Sequence, residues 1–259
     1  MKYHSFNLVF IFLSSLLLLF IIAPLLGMFL STTPLHIFQT ASDTEVTKSI
    51  WLTLGASMLG TIIFSILAIP LAYILARKSF PMKNLVLGIV NLPIVIPHTA
   101  AGIALLGLVS RNSFIGKIAS AVGLNFVGTV WGIIIAMAFV SLPYLINAAR
   151  EGFASVPERL EKAALNLGAT YSKTFFKISL PLAWRSIISG FILMFARGIS
   201  EFGAVVIIAY YPMTTPVLIY ERFGSFGLQY AKPIAIIVIL ISLLIFILLR
   251  FLAGKNKHA

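Results

Sequence analysis

EKAALNLGATYSKTFFKISLP, residues 161–181, is a polar island between two long apolar stretches, 127–149 and 183–209. It reads as a helix, a turn and a second helix. Upstream, Ser155 is followed three residues later by Glu158 with Pro157 between them, the pattern of a capping box that opens a helix. Leu160, Ala163, Ala164 and Leu167 then recur at the spacing of one helix face, and Glu158, Arg159, Glu161 and Lys162 cover the other side. Gly168 is placed to end that helix in the left-handed conformation. A short helix from Tyr171 to Ile178 is expected next, and Pro181 starts the following apolar stretch. Small residues on a projecting face let another surface come close, which suits a docking element. An amphipathic connector lying on a lipid interface fits the same pattern.

Composition sets the class around this island. The 259 residues are 60% hydrophobic and 10% charged, with a mean hydropathy of +1.05, whereas a soluble domain carries about a quarter charged residues. An integral membrane protein is expected. Six stretches are long enough to span a bilayer: about 7–30, 50–76, 85–109, 127–149, 183–209 and 233–253. The first is too long for the apolar core of a signal peptide and lacks a small-x-small cleavage pattern, so it is expected as an uncleaved helix. The chain has no cysteine, which excludes disulfides, thiol nucleophiles and thiolate metal sites.

The basic residues assign the sides of the membrane. With both termini cytoplasmic, the inner side holds Lys2, Arg77, Lys78, Lys83, Arg150, Arg159, Lys162, Lys173, Lys177, Arg185, Arg250, Lys255 and Lys257. The outer side holds Lys48, Arg111, Lys117, Arg222 and Lys232. This bias accounts for the net charge of +12 without nucleic acid, and it makes the connection of about 150–182 the long cytoplasmic one.

Two apolar stretches carry polar groups that need a reason. FARGISEFGA, residues 195–204, places Arg197 and Glu201 near the midpoint of the fifth stretch, where each charge costs about 2.5–3.5 kcal/mol on insertion scales. Four residues apart, they share a helix face. They fit a structural pair, the lining of a pathway, or a proton relay. In the third stretch Pro93 and Pro97 each remove a backbone donor, so a kink or break is expected, with His98 and Thr99 gathered at it. A broken helix lining a pathway and a kinked packing helix whose His98 bonds a neighbour's backbone are both open. The other histidines, His4, His36 and His258, lie near the ends or in a loop, so no catalytic group and no metal cluster is expected. None of the Gly-x4-Gly pairs is followed by Lys-Ser or Lys-Thr, so ATP must be bound by another chain.

The island resembles the EAA loop of the membrane subunits of ABC importers: Ala163, Ala164, Gly168, Ile178, Leu180 and Pro181 match that pattern. One departure is that Lys162 occupies the place of the pattern's Glu, with Glu161 one residue earlier, a rotation of about 100° on a helix. NLPIVIPHTAAGIALLGL, residues 91–108, and ARGISEFGAVVIIAYYPMTTPVLIYERF, residues 196–223, resemble molybdate/tungstate permeases, with sulfate permeases close behind.

The resemblance implies an all-α fold like that of type I ABC importer permeases, a single permease domain over residues 1–259 of a multi-pass cell-membrane protein. It further implies a homodimeric pore, a cytoplasmic ABC ATPase dimer that binds ATP and Mg²⁺, and an extracellular oxyanion-binding protein. Glu161, Ala163, Ala164 and Gly168 would then belong to the ATPase-coupling loop. The outer connection YYPMTTPVLIYERFG, with Tyr220 and Arg222, suits contact with the binding protein or a cap over the pore mouth. Sulfate or thiosulfate is the alternative cargo, and a secondary ion transporter or an intramembrane enzyme the alternative class. Arg197 and Glu201 alone are poor material for either of those classes.

Overall fold

The computed structural model describes residues 2–254, with side chains described for 6–249 and for 251. Lys255, Lys257 and His258 lie outside the described residues, as do the side chains of Lys2, His4 and Arg250. Every regular element is helical, and no strand occurs among the described residues. In chain order the helices are α1 (Lys2–Leu30), α2 (Pro34–Ala41), α3 (Thr44–Arg77), α4 (Lys83–Val95), α5 (His98–Val109), α6 (Phe114–Ala121), α7 (Val130–Ser155), α8 (Glu158–Asn166) and α9 (Tyr171–Thr174). A π-turn at Phe175–Ser179 leads into α10 (Leu180–Ile199), followed by α11 (Gly203–Ile208), α12 (Thr215–Phe226) and α13 (Leu228–Gly254).

Five of these paths are long and apolar enough to cross a membrane unbroken: α1, α3, α7, the run Tyr171–Ile199, and α13. The pair α4 and α5 meets the same test only when taken together and is bent by 113° at Ile96–Pro97, the geometry of a broken span or a re-entrant loop. Pro93 stays inside α4, and Pro97 takes the extended conformation that precedes α5. The protein is an all-helical, multi-pass membrane protein.

Helix α7 is the central post. It packs along both α3 and α10, and its buried face alternates small and large residues: Ala136, Met137, Ala138, Val140, Leu145, Ile146, Ala149 and Phe153. With lipid as apolar as leucine, such close packing holds a bundle together more than water exclusion does. Two clusters result. One surrounds Val46, Ala101, Ile133, Met137, Ala204, Ile208 and Val217; the other surrounds Ala72, Leu75, Leu145, Phe153, Ala183, Ile187 and Met194. Along α3 the hydroxyls Ser49, Thr53, Ser57 and Thr61 recur every fourth residue, all buried. They tie α3 to its neighbours through Thr53 with Thr215 at 3.1 Å and Ser57 with the Phe195 carbonyl at 2.8 Å. Helix α1 packs chiefly on α13, and its apolar length is exposed.

Several local expectations are corrected. Ser155 opens no helix; it is the last residue of α7, its hydroxyl donates to the Gly152 carbonyl, and Pro157 occupies the cap position of α8. The chain from Tyr171 onward is not a separate helix before the span but its first turns. Pro181 cannot donate to the carbonyl four residues back, and the π-turn just before it widens the ladder and lets the helix run on. The connection expected at 150–182 is therefore shorter, and the fifth span starts about a dozen residues earlier than 183. It also stops earlier, at Ile199, so Arg197 lies two residues from a helix end rather than at a midpoint.

Candidate functional site: two breaks that meet and a docked loop

The third and fifth spans break where they face each other. Helix α5 starts at His98, directly after the bend. Helix α10 ends at Ile199, and α11 restarts the path at Gly203. A Cβ at Gly203 would lie 2.8 Å from the His98 Cβ, and one at Gly102 would lie 3.0 Å from the Ala204 Cα. Those two glycines let α5 and α11 pack backbone to backbone, which brings the breaks together.

Glu201 sits in the second break and is fully buried. Its Oε1 accepts from the Ala204 amide at 2.8 Å, capping the first turn of α11. Its Oε2 accepts from Arg197 Nη2 at 2.8 Å and lies 3.2 Å from His98 Nδ1. Arg197 Nη2 also lies 2.9 Å from both ring nitrogens of His98, and Nη1 reaches the Ser200 hydroxyl at 3.3 Å. An arginine can only donate, so one consistent assignment has Nδ1–H donating to Glu201 and Nε2 accepting from Arg197. The Arg197–Glu201 pair is thus three-membered, with His98 from the other break as its third part. His98 bonds these side chains rather than a neighbour's backbone.

The cluster is closed on one side only. Glu201 has no exposure, Arg197 keeps 18% and His98 keeps 36% of its side-chain surface, and Thr99 and Ser200 beside them are exposed. Pro97 is exposed and Pro93 is buried. Farther along α4, Asn147 of α7 donates to the Asn91 side-chain oxygen at 2.6 Å, a further polar contact between spans. Among the described residues no group of three or more His, Asp or Glu is placed to hold a metal ion.

The second polar centre is the loop around α8. Leu167 caps this helix, and Gly168 follows in the left-handed conformation with φ +86°. The Gly168 amide donates to the Leu165 carbonyl at 3.0 Å and the Ala169 amide to the Ala164 carbonyl at 3.0 Å, a paired closure known as the Schellman motif. Gly168 ends α8 in the left-handed conformation, with Ala163 exposed and Ala164 half-buried in the last turns before it.

Glu161 does not lie on an outer face with its charged neighbours. It is the single buried residue of α8, and it points at α3. Arg77 Nε reaches both of its oxygens, at 3.0 and 3.1 Å, and Arg77 Nη2 reaches Oε1 at 2.8 Å. Ser179 donates to Oε1 at 2.7 Å, and the Tyr73 hydroxyl adds a long contact of 3.4 Å to Oε2. The helix is consequently inverted for a water-facing element. It buries a carboxylate and exposes apolar side chains: Leu160 is 41% exposed and Leu167 88%. Lys162 stays outside and pairs with Glu158 at 3.0 Å, and its hydrogen bond holds the Glu158 carboxyl below the usual carboxylate range. On the far side of the molecule Arg222 is drawn onto Asp43 and Glu45 at the start of α3, leaving Tyr220 exposed.

Spans arranged in this way, with a short amphipathic helix at one end, define a polytopic membrane protein. The comparison with known proteins narrows that class. Residues 68–258 match the profile of the binding-protein-dependent transport system inner membrane component, and the chain belongs to that family. The molybdate/tungstate transport system permease protein WtpB of Pyrococcus furiosus is 44% identical over 221 residues, covering 85% of this chain and 84% of that one. Its counterpart in Methanocaldococcus jannaschii is 46% identical over 208 residues, covering 80% and 82%. The probable sulfate transport system permease protein of Chlorokybus atmophyticus is 29% identical over 224 residues, covering 85% and 78%. Among solved structures, a bacterial ABC transporter involved in import of the acidic polysaccharide alginate shares the fold, with a TM-score of 0.75, 17% identity and coverage of 98% and 97%.

Proposed function

We propose that this chain is the membrane-spanning subunit of an ATP-driven importer that moves a tetrahedral oxyanion, molybdate or tungstate, into the cell. The observation that carries the coupling half of this reading is the inverted helix α8. An apolar edge of Leu160 and Leu167, beside a closed turn, is a surface suited to contact with another protein. A cytoplasmic ABC ATPase is the partner for that face, in two copies, and binds the ATP and Mg²⁺. The relatives named for molybdate/tungstate transport, aligned over most of the chain at 43–46% identity, support the cargo.

Two copies of the chain form the pore. The exposed apolar length of helix α1 leaves surface for lipid or for the second copy. Both termini and α8 face the cytoplasm, following the basic residues. An extracellular binding protein captures the oxyanion and delivers it to the face that carries Tyr220. The pathway itself needs no tight site, because conduction requires sites weak enough to release the ion. The half-open cluster of His98, Arg197 and Ser200 fits that requirement: its charge is already balanced by Glu201.

Sulfate or thiosulfate is the second reading, supported by the sulfate permeases at 29–32% identity. Tungstate uptake into proteoliposomes holding the complex, with binding protein outside and ATP inside, tests the proposal. Uptake should require both and resist a large excess of sulfate. Uptake driven by an ion gradient without ATP would contradict it, and equal competition by sulfate would favour the second reading.

A further inference from the structure

The Glu161 carboxylate is bound by three residues from two other elements. Arg77 comes from the end of α3, Ser179 from the π-turn that starts the fifth span, and Tyr73 from one turn earlier on α3. The same Arg77 Nη2 donates to the Val156 carbonyl at 2.9 Å, where α7 ends just before the Pro157 cap of α8. Arg77 and Glu161 keep only 8% and 11% of their side-chain surface. Around them Tyr73, Phe153 and Phe175 pack edge-on or tilted, with centroids 5.0–5.9 Å apart, sealing the joint with aromatic rings.

The rest of α8 is held loosely. Glu158, Arg159, Leu160, Lys162 and Ala163 are exposed, and no other residue of the helix is buried. Apart from the chain itself, the buried side-chain connection between α8 and the membrane body is the Glu161 joint. That connection ends on α3 and on the π-turn, the two elements leading directly into spans that flank α7. A planar guanidinium fork fixes direction as well as distance, which a lysine ammonium cannot.

We infer that Arg77, Glu161 and Ser179 are positioning residues for coupled transport: they form the joint through which movement of the docked ATPase is passed from α8 to α3 and the fifth span. Glu161 thus acts inward, and the ATPase contact falls to Leu160, Ala163 and Leu167. This inference rests on α8 being the ATPase dock. The relevant readout is oxyanion moved per ATP hydrolysed, measured on intact complexes in proteoliposomes. It is expected to fall about tenfold in Glu161→Gln and about two- to threefold in Ser179→Ala, within the range that changes in a coupling network produce. Arg77→Lys, which keeps the charge and loses the fork, should behave like Glu161→Gln.

A merely structural joint would lower the yield of complex and leave the ratio unchanged, and that result overturns the inference. If Glu161→Gln yields no intact complex, Ser179→Ala decides by the same two outcomes. A Leu160→Cys cross-link to the ATPase, made in the otherwise unaltered chain, separates the two levels of failure. Without that cross-link the docking reading falls and the inference with it; with the cross-link and an unchanged ratio, the joint alone falls.

Discussion

Arg77 and Glu161 meet across 84 residues of chain, whereas Arg197 and Glu201 are four residues apart. Both pairs are buried on the carboxylate side, yet they are built for different loads. The first is a closed fork: the arginine addresses both carboxylate oxygens, a serine adds a bond at 2.7 Å, and almost nothing is exposed. The second joins two helix breaks through one guanidinium nitrogen and a histidine, and its arginine and histidine keep an open edge. Burying a charge pair is costly unless the geometry satisfies every partner. The closed pair meets that condition inside the chain and serves as a fastening. The open pair meets it only for Glu201, which leaves Arg197 and His98 able to meet a passing anion in the proposed pathway.

Removing single partners should show the largest effects. Glu201→Leu strands Arg197 and also orphans the Ala204 amide, so it should cost about 3–5 kcal/mol, the range for breaking a buried pair. The check is the yield of monodisperse complex in detergent, which should collapse. Arg197→Met should be milder, because Glu201 keeps Ala204 and His98 as donors. Equal yields for the two variants would show that the cap on α11 contributes nothing.

Gly168→Val comes next. Its open surroundings mean that no clash is involved, and the penalty of about 1–3 kcal/mol comes from forcing a β-branched residue to φ +86°. The helices should remain folded by circular dichroism while co-purification of the ATPase falls. Retained co-purification with normal substrate-stimulated hydrolysis would remove α8 from the docking role. His98→Gln should alter assembly by no more than about 1 kcal/mol, since a neutral donor–acceptor side chain replaces another. Oxyanion uptake should nevertheless drop severalfold, and normal uptake would assign His98 to packing alone. The smallest effect belongs to Glu158→Gln. Its depressed carboxyl contributes stability above its unfolded value, lost as pH falls through the folded one. Because Glu158 and Lys162 are exposed, melting curves near neutral pH should not shift measurably.

What could be read in the sequence was what local pattern decides. Apolar length gave the spans, the spacing of Ala163, Ala164 and Gly168 gave the loop, and Pro97 gave the break. Three features escaped because their causes lie far along the chain or in backbone accommodation. The side-chain pattern turned Glu161 outward; it turns inward because Arg77, remote in sequence, supplies the matching charge. The break after Ile199 contains no proline. Its signal was present in the flanking Gly198 and Gly203 and in the charges themselves, which cap the restarted helix instead of decorating a continuous one. The run through Pro181 depends on a π-turn that no residue pattern announces. His98 was singled out for its place beside Pro97, but its partnership with Arg197 and Glu201 is set by close packing of α5 on α11.

The contrast between the two pairs is tested most directly by neutralising the open one without removing its cap. Arg197→Met combined with Glu201→Gln keeps an oxygen for the Ala204 amide and leaves no stranded charge. ATP-driven tungstate uptake by this double variant, normalised to intact complex, is the deciding measurement. A complex that assembles and hydrolyses ATP while uptake falls by at least about tenfold, the equivalent of about 1.4 kcal/mol in the barrier, is the predicted result. Uptake equal to that of the unaltered chain would contradict it, making both arginine–glutamate pairs fastenings and leaving the anion's path elsewhere.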